Sequence, residues 1–93
     1  MQVQHEEIKK KGAFFVEENG KRMAQMQYFH SKPGEITIYH TETDPKLAGK
    51  KVGRELVDAG VKFARENDIK IVPTCSYTKS VIDNTPEFQD VLA

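Results

Sequence analysis

Cysteine occurs once in the 93 residues, tryptophan not at all and proline four times. One cysteine cannot close an internal disulfide, and it excludes a metal centre built from several cysteines. Long hydrophobic runs are missing as well. The first apolar stretch, Phe14-Phe15-Val16, falls far short of a membrane span or the core of a secretory signal. Net charge is absent, because 14 basic residues offset 14 acidic ones and the formal charge is +0 at pH 7. With no global field, nucleic acid and anionic membranes are not expected partners, and any anion site must come from a local cluster. These absences point to a cytoplasmic protein. The composition that remains is 38% hydrophobic and 30% charged, with a mean hydropathy of -0.62. It is too apolar and too balanced in charge for a disordered chain. At this length a single domain over residues 1–93 with one small core is expected.

Val3 to Ile8 has the makings of a ragged edge strand, followed by a charged turn at Lys9-Lys10-Lys11-Gly12. A strand over Ala13–Glu17 leads into Glu18-Asn19-Gly20, where Asn-Gly is the strongest short-range hairpin signal. From Met23 to Phe29, Ala24, Met26 and Tyr28 alternate with Met23, Gln25, Gln27 and Phe29, so one face is apolar and the other partly wet. Ser31-Lys32-Pro33-Gly34 is a second turn. In the strand Glu35–Thr41, strict alternation puts Ile36, Ile38 and His40 on one face and Thr37, Tyr39 and Thr41 on the other. Asp44-Pro45 suits a short helical turn, with Asp capping and Pro at the first position.

The period then changes. Val52, Leu56, Ala59 or Gly60, and Phe63 recur at helical spacing, with Val57 and Ala64 widening the stripe, so a helix is expected from Lys50 to Glu66, ending at Asn67. Ile69–Val72 is a short strand stopped by Pro73. Strand, helix, strand over this length implies a parallel crossover. The tail holds a helical piece near Tyr77–Ile82 and another from Pro86 to Leu92. The elements define an α+β fold: a mixed twisted sheet of four or five strands, one long helix and a short C-terminal helical layer.

Leu47-Ala48-Gly49-Lys50-Lys51-Val52-Gly53-Arg54 joins the third of the meander strands to the helix. A helix start leaves backbone N–H groups free, and those donors and the dipole suit a phosphate. Gly49 and Gly53 remove side chains where a ligand could approach, and Lys50, Lys51 and Arg54 add charge. The run is neither a P-loop nor a dinucleotide fingerprint. A solvated helix start with ordinary lysines is the other reading.

Cys75 lies just past a strand end, where a thiol nucleophile would need a lowered pKa and a nearby base. His40 ends the neighbouring strand, so the two side chains are expected to approach one another. The alternatives are a small buried cysteine and a hydrogen-bonded histidine. Tyr77 is packing or a polar handle near the thiol. His5 and His30 lack a third ligand, so no metal site is expected.

The run His40-Thr41-Glu42-Thr43-Asp44-Pro45-Lys46-Leu47-Ala48-Gly49-Lys50-Lys51-Val52-Gly53-Arg54-Glu55-Leu56-Val57, with Val72-Pro73-Thr74-Cys75-Ser76-Tyr77 and the tail Thr85–Leu92, resembles the small single-domain acyltransferases of the GNAT superfamily. The resemblance covers nearly the whole chain and is weak before Ala13. It implies a minimal GNAT-like (acyl-CoA N-acyltransferase) fold without the usual N-terminal helices, its sheet splayed between two parallel strands. It implies acetyl-CoA as the acetyl donor, with the pantetheine arm between Ile36–Thr41 and Ile69–Val72. The pyrophosphate would rest on N–H groups of Gly49, Lys50, Lys51, Val52 and Gly53, beside Arg54. Cys75 and His40 would lie near the thioester, with Thr41 on the cofactor strand and an N–H near Ile71 or Val72 steadying the oxyanion. The superfamily turn reads Arg or Gln, two residues, Gly, one residue, Gly or Ala. Here those positions are Ala48, Lys51 and Gly53, and Lys51 is expected in a helical conformation open to any residue.

The resemblance implies transfer of acetyl to an amine acceptor, a small molecule or a protein, either directly with His40 or water as base, or through an acetylated Cys75. A CoA-binding module with little turnover, or a partner-binding domain with no cofactor, is the alternative. Oligomeric state and acceptor are left open.

Overall fold

Three two-residue turns build the first half of the chain in the computed structural model, which describes residues 2–93. Ile8 pairs with Lys11, Glu18 with Lys21 and Lys32 with Glu35. Asn19 and Gly20 both take positive φ, 51° and 79°. That combination matches the twist of the flanking strands. Pro33 followed by Gly34 at φ 77° is the Pro-Gly order of a type II turn. The turns join β1 (Gln4–Ile8), β2 (Lys11–Glu18), β3 (Lys21–Lys32) and β4 (Glu35–Thr43) into an antiparallel meander.

A single 3-10 turn, Pro45–Leu47, follows β4. The Lys46 N–H donates to Asp44 Oδ1 at 2.9 Å, and Pro45 needs no donor there, so the expected cap and first position are both met. Helix α1 (Val52–Glu66) carries the sheet over to β5 (Lys70–Pro73), which lies parallel to β4. The strand order is β1-β2-β3-β4-β5. Helix α2 (Ser76–Asp83) and a 3-10 segment, Pro86–Val91, complete the chain. The fold is α+β, as the sequence implies.

Leu56, Val57, Val61 and Ala64 of α1 are buried against Phe14, Val16, Met26, Tyr28, Ile36 and Ile38 of the sheet. The helical stripe and the period-two apolar positions therefore meet as one core. Ile82, Phe88 and Val91 extend it from the C-terminal layer. α1 packs across β2 to β5, and α2 packs on β4, β5 and α1. The opposite sheet face carries Gln27, Phe29 and Tyr39, the last two exposed.

One expectation for β4 is corrected. Gln27 pairs with His40, whereas Tyr28 pairs with Ile38, so Tyr39 is an extra residue opposite that step. A bulge of this kind resets the alternation. Ile36 and Ile38 stay in the core, and Thr41, opposite the buried Met26, joins their side. His40, opposite Gln27, turns to the helix-free face.

Candidate active site

The sheet forks at Ile38. β4 and β5 are paired from Glu35↔Lys70 to Ile38↔Pro73, and the pairing stops there. The Ile38 carbonyl accepts from the N–H of Thr74 at 3.0 Å and of Cys75 at 3.1 Å, and from Thr74 Oγ1 at 3.1 Å. Beyond this tie β4 continues to Thr43 while the other chain turns into α2. On β4 the opening falls within the expected Ile36–Thr41, and on β5 it begins at Pro73, one residue past the expected Ile69–Val72. Ile71 is fully buried in the closed part of the sheet, and it bridges Leu92 and accepts from the Ala93 N–H. Val72 pairs with Thr37. Neither is brought to the fork.

The helix start borders the fork on the core side. Gly49 has φ 81° and Lys51, the N-cap of α1, has φ 59°. Lys51 therefore takes the left-handed conformation, not the helical one expected for it. This is the position where the superfamily turn has glycine, and glycine adopts that conformation without Cβ strain. No side chain caps α1. The first helical N–H to find a main-chain carbonyl is Glu55, donating to Lys51 at 3.1 Å. The N–H groups of Val52, Gly53 and Arg54 are thus left for other acceptors. Val52 and Gly53 border a cavity of about 560 Å³ that is also lined by Thr41, Glu42, Leu47, Gly49, Lys51 and Tyr77, among others.

Two predicted members behave differently. Arg54 turns away, donating from Nη1 to Thr85 Oγ1 at 3.0 Å with its guanidinium 5.5 Å from the Phe88 ring centroid. It secures the C-terminal layer. Lys50 is exposed and does not line the cavity. Gly53 has a role the sequence did not show: a Cβ there would fall 2.5 Å from the Tyr77 hydroxyl. Its bare Cα lets the Tyr77 ring lie over the helix start.

Cys75 is the N-cap of α2. Its sulfur lies 3.5 Å from Thr41 Oγ1, and Thr41 Oγ1 lies 3.2 Å from Thr78 Oγ1. Burial pushes the thiol pKa up, but the Thr41 hydroxyl, the N–H groups of Thr78 and Tyr77 and the Thr78 hydroxyl outweigh it, leaving it below the ordinary value. These are donors that favour a thiolate at a helix start. Sequence reasoning missed Thr78, although its position three residues after Cys75 on a helical segment was the available signal. His40 is not beside Cys75. It is exposed on the other face, with Nε2 3.4 Å from Glu42 Oε2. Glu42 is a carboxylate partner of His40 that the sequence reading did not pair with it. Gln25, first, and His40 hold the Glu42 carboxyl below its ordinary range.

Donors without partners, a glycine at the turn and a cavity beside a thiol fit a diphosphate carried on a long arm, such as coenzyme A. An open α+β sheet that forks beside an uncapped helix is the class of fold defined here. The family model for GCN5-related N-acetyl-transferase matches residues 13–91, and the chain belongs to that family. Protein NATD1 of Danio rerio is 27% identical over 90 residues, covering 96% of this chain and 80% of its own length. The solution structure of a GCN5-like N-acetyltransferase candidate from Staphylococcus aureus superposes with a TM-score of 0.73 at 32% identity, over 97% of this chain and 87% of that one. The ribosomal-protein-S18-alanine N-acetyltransferase of Escherichia coli shares the fold, with a TM-score of 0.67 at 15% identity over 83% of this chain and 52% of its own.

Proposed function

We propose that the protein transfers an acetyl group from acetyl-CoA to an amine. One observation carries the reading. Thr41 both lines the cavity at the uncapped start of α1 and hydrogen-bonds the Cys75 sulfur, so an anion site and a thiolate-favouring site share one wall. Acetyl-CoA supplies the activated thioester. The N–H groups of Val52 and Gly53, with Gly49 and Lys51, hold its diphosphate. Thr41 and Cys75 border its acyl end. A bound water takes the proton of the attacking amine and passes it to His40 on the other face of the sheet, where Glu42 steadies the imidazolium that results. A cytoplasmic location belongs to the same proposal, since a reducing compartment keeps Cys75 a thiol.

A second reading is favoured by the lowered thiol pKa: Cys75 is acetylated first and passes the group on. Intact-mass measurement after incubation with acetyl-CoA separates the two. An adduct lost on Cys75→Ala marks the covalent route, and an active, unmodified protein marks the direct one. Calorimetric titration with CoA tests the cofactor site. Lys51→Glu is expected to weaken binding by about 1–3 kcal/mol, the scale of a lost charge-assisted contact; equal affinities would remove the turn from the site. A CoA-binding module without turnover is distinguished by His40→Ala, which in an enzyme keeps CoA and loses activity, and on the covalent route by Cys75→Ala, which does the same.

A further inference from the structure

The helix-free face of the sheet holds a groove of about 760 Å³, and nothing in the cofactor reading uses it. Its apolar floor includes Ile8, Ala13 and Tyr39, and its rim is Lys9, Lys10 and Lys11. Ile8 is 70% and Tyr39 43% exposed, so apolar side chains are open to solvent at both ends of the groove. The three rim lysines form no ion pair among the described residues, whereas Lys21, Lys32, Lys62 and Lys79 each pair with a carboxylate. The groove's one carboxylate, Glu6, is held by Arg22 at 2.6 Å. In a chain of zero net charge, this end of the groove is locally cationic.

The other end reaches Gln27 and Tyr39. Gln27 pairs directly with His40, so the groove leads to the proton acceptor of the proposed reaction. From β1 to β4 are three strand spacings, roughly 14 Å. An occupant touching both the rim and His40 needs about four extended residues of chain. We infer that this groove docks the acetyl acceptor, and that the acceptor is an amine borne on an acidic, partly apolar peptide. The inference rests on the acetyl-transfer reading for the acceptor's role, though not for the docking itself. Opposite charge draws such a peptide to the rim, and apolar side chains cover the floor. Polyamines and basic protein tails are repelled by the same lysines.

The test uses the full chain without CoA and two labelled ten-residue peptides, each with one free amine. One is rich in Glu and Leu; in the other Arg replaces every Glu. The acidic peptide is expected to bind and shift the amides of residues 8–13, 27 and 39, and the Arg peptide to bind about tenfold or more weakly. Lys10→Glu/Lys11→Glu should cost the acidic peptide about tenfold or more in affinity, and Lys62→Glu on α1 should not. The peptide swap needs no variant, so a misfolded double variant does not blunt the test. Equal binding of both peptides, shifts confined to other residues, or binding to phosphatidylserine vesicles without peptide binding would overturn the inference. A separate CoA titration followed at residues 49–54 keeps the two readings apart. Peptide binding with no CoA response would overturn the acceptor role and leave a docking surface; CoA response with no peptide binding would overturn the groove and leave the cofactor site.

Discussion

Lys51 sits at a helix start in a conformation that crowds its own Cβ. With φ at 59°, it carries a strain that glycine would not, and Lys51→Gly is expected to be more stable than Lys51→Ala by about 1 kcal/mol. Urea denaturation of the two variants checks it, and equal midpoints would mean the left-handed cap stores no strain. The comparison with alanine removes the lysine side chain from both arms. At Cys75 the prediction concerns reactivity. The Thr41 hydroxyl does most to offset the burial of the thiol, so Thr41→Val should move the pH midpoint of Cys75 alkylation upward. An unmoved midpoint would assign the lowered pKa to the α2 N–H groups alone.

At the scale of elements, β1 depends on a residue that the sequence reading placed only in a turn. Gly12 lies inside β2, and a Cβ there would strike the Tyr28 ring and approach the Glu6 carbonyl at 2.8 Å. Tyr28 is fully buried and its hydroxyl is held by His5 and Glu7, so it has little room to retreat. Gly12→Ala is therefore expected to destabilise by about 1–3 kcal/mol, the range for overpacking. Thermal unfolding would show it; an unchanged midpoint would mean that β1 yields without cost. The hairpin at Asn19-Gly20, the stripe of α1 and the parallel crossover were legible because each follows from a local period or turn chemistry. The face of His40 was not. One extra residue at Tyr39 reverses the alternation, and nothing in the composition of residues 35–43 marks a bulge. Arg54 was misplaced for a related reason: its partner Thr85 lies 31 residues away, and charge near a glycine turn is read locally. The fold was thus more legible than the site, whose members are sorted by the bulge and by the C-terminal layer.

For the molecule as a whole, acid should loosen the attachment of the edge strand. His5 stacks on Phe14 with ring centroids 4.1 Å apart, and its Nε2 lies 2.6 Å from the Tyr28 hydroxyl. That hydroxyl donates to Glu7 Oε1 at 2.7 Å, and His30 Nε2 lies 2.8 Å from the same oxygen. The cluster fastens β1 to β3 across β2. Burial lowers the His5 pKa from 6.5, against the opposing pull of Glu7. Hydrogen bonds from His30, first, and Tyr28 lower the Glu7 pKa from 4.5. Both groups are depressed on folding, so the unfolded chain binds more protons than the folded one as the pH falls. The His5 contribution is complete above 6.5 and is lost below it; the Glu7 contribution is complete above 4.5 and is lost as the pH falls through its lowered folded value. Asp44, held by the Lys46 N–H, and Asp90, held by Arg65, act in the same direction at lower pH. The denaturation midpoint should therefore fall in two stages on acidification from neutral pH. His5→Phe, which keeps an aromatic ring against Phe14, should flatten the first stage, and Glu7→Gln the second. A wild-type midpoint that holds level or rises between pH 7 and 4 would mean that this cluster does not couple protonation to folding.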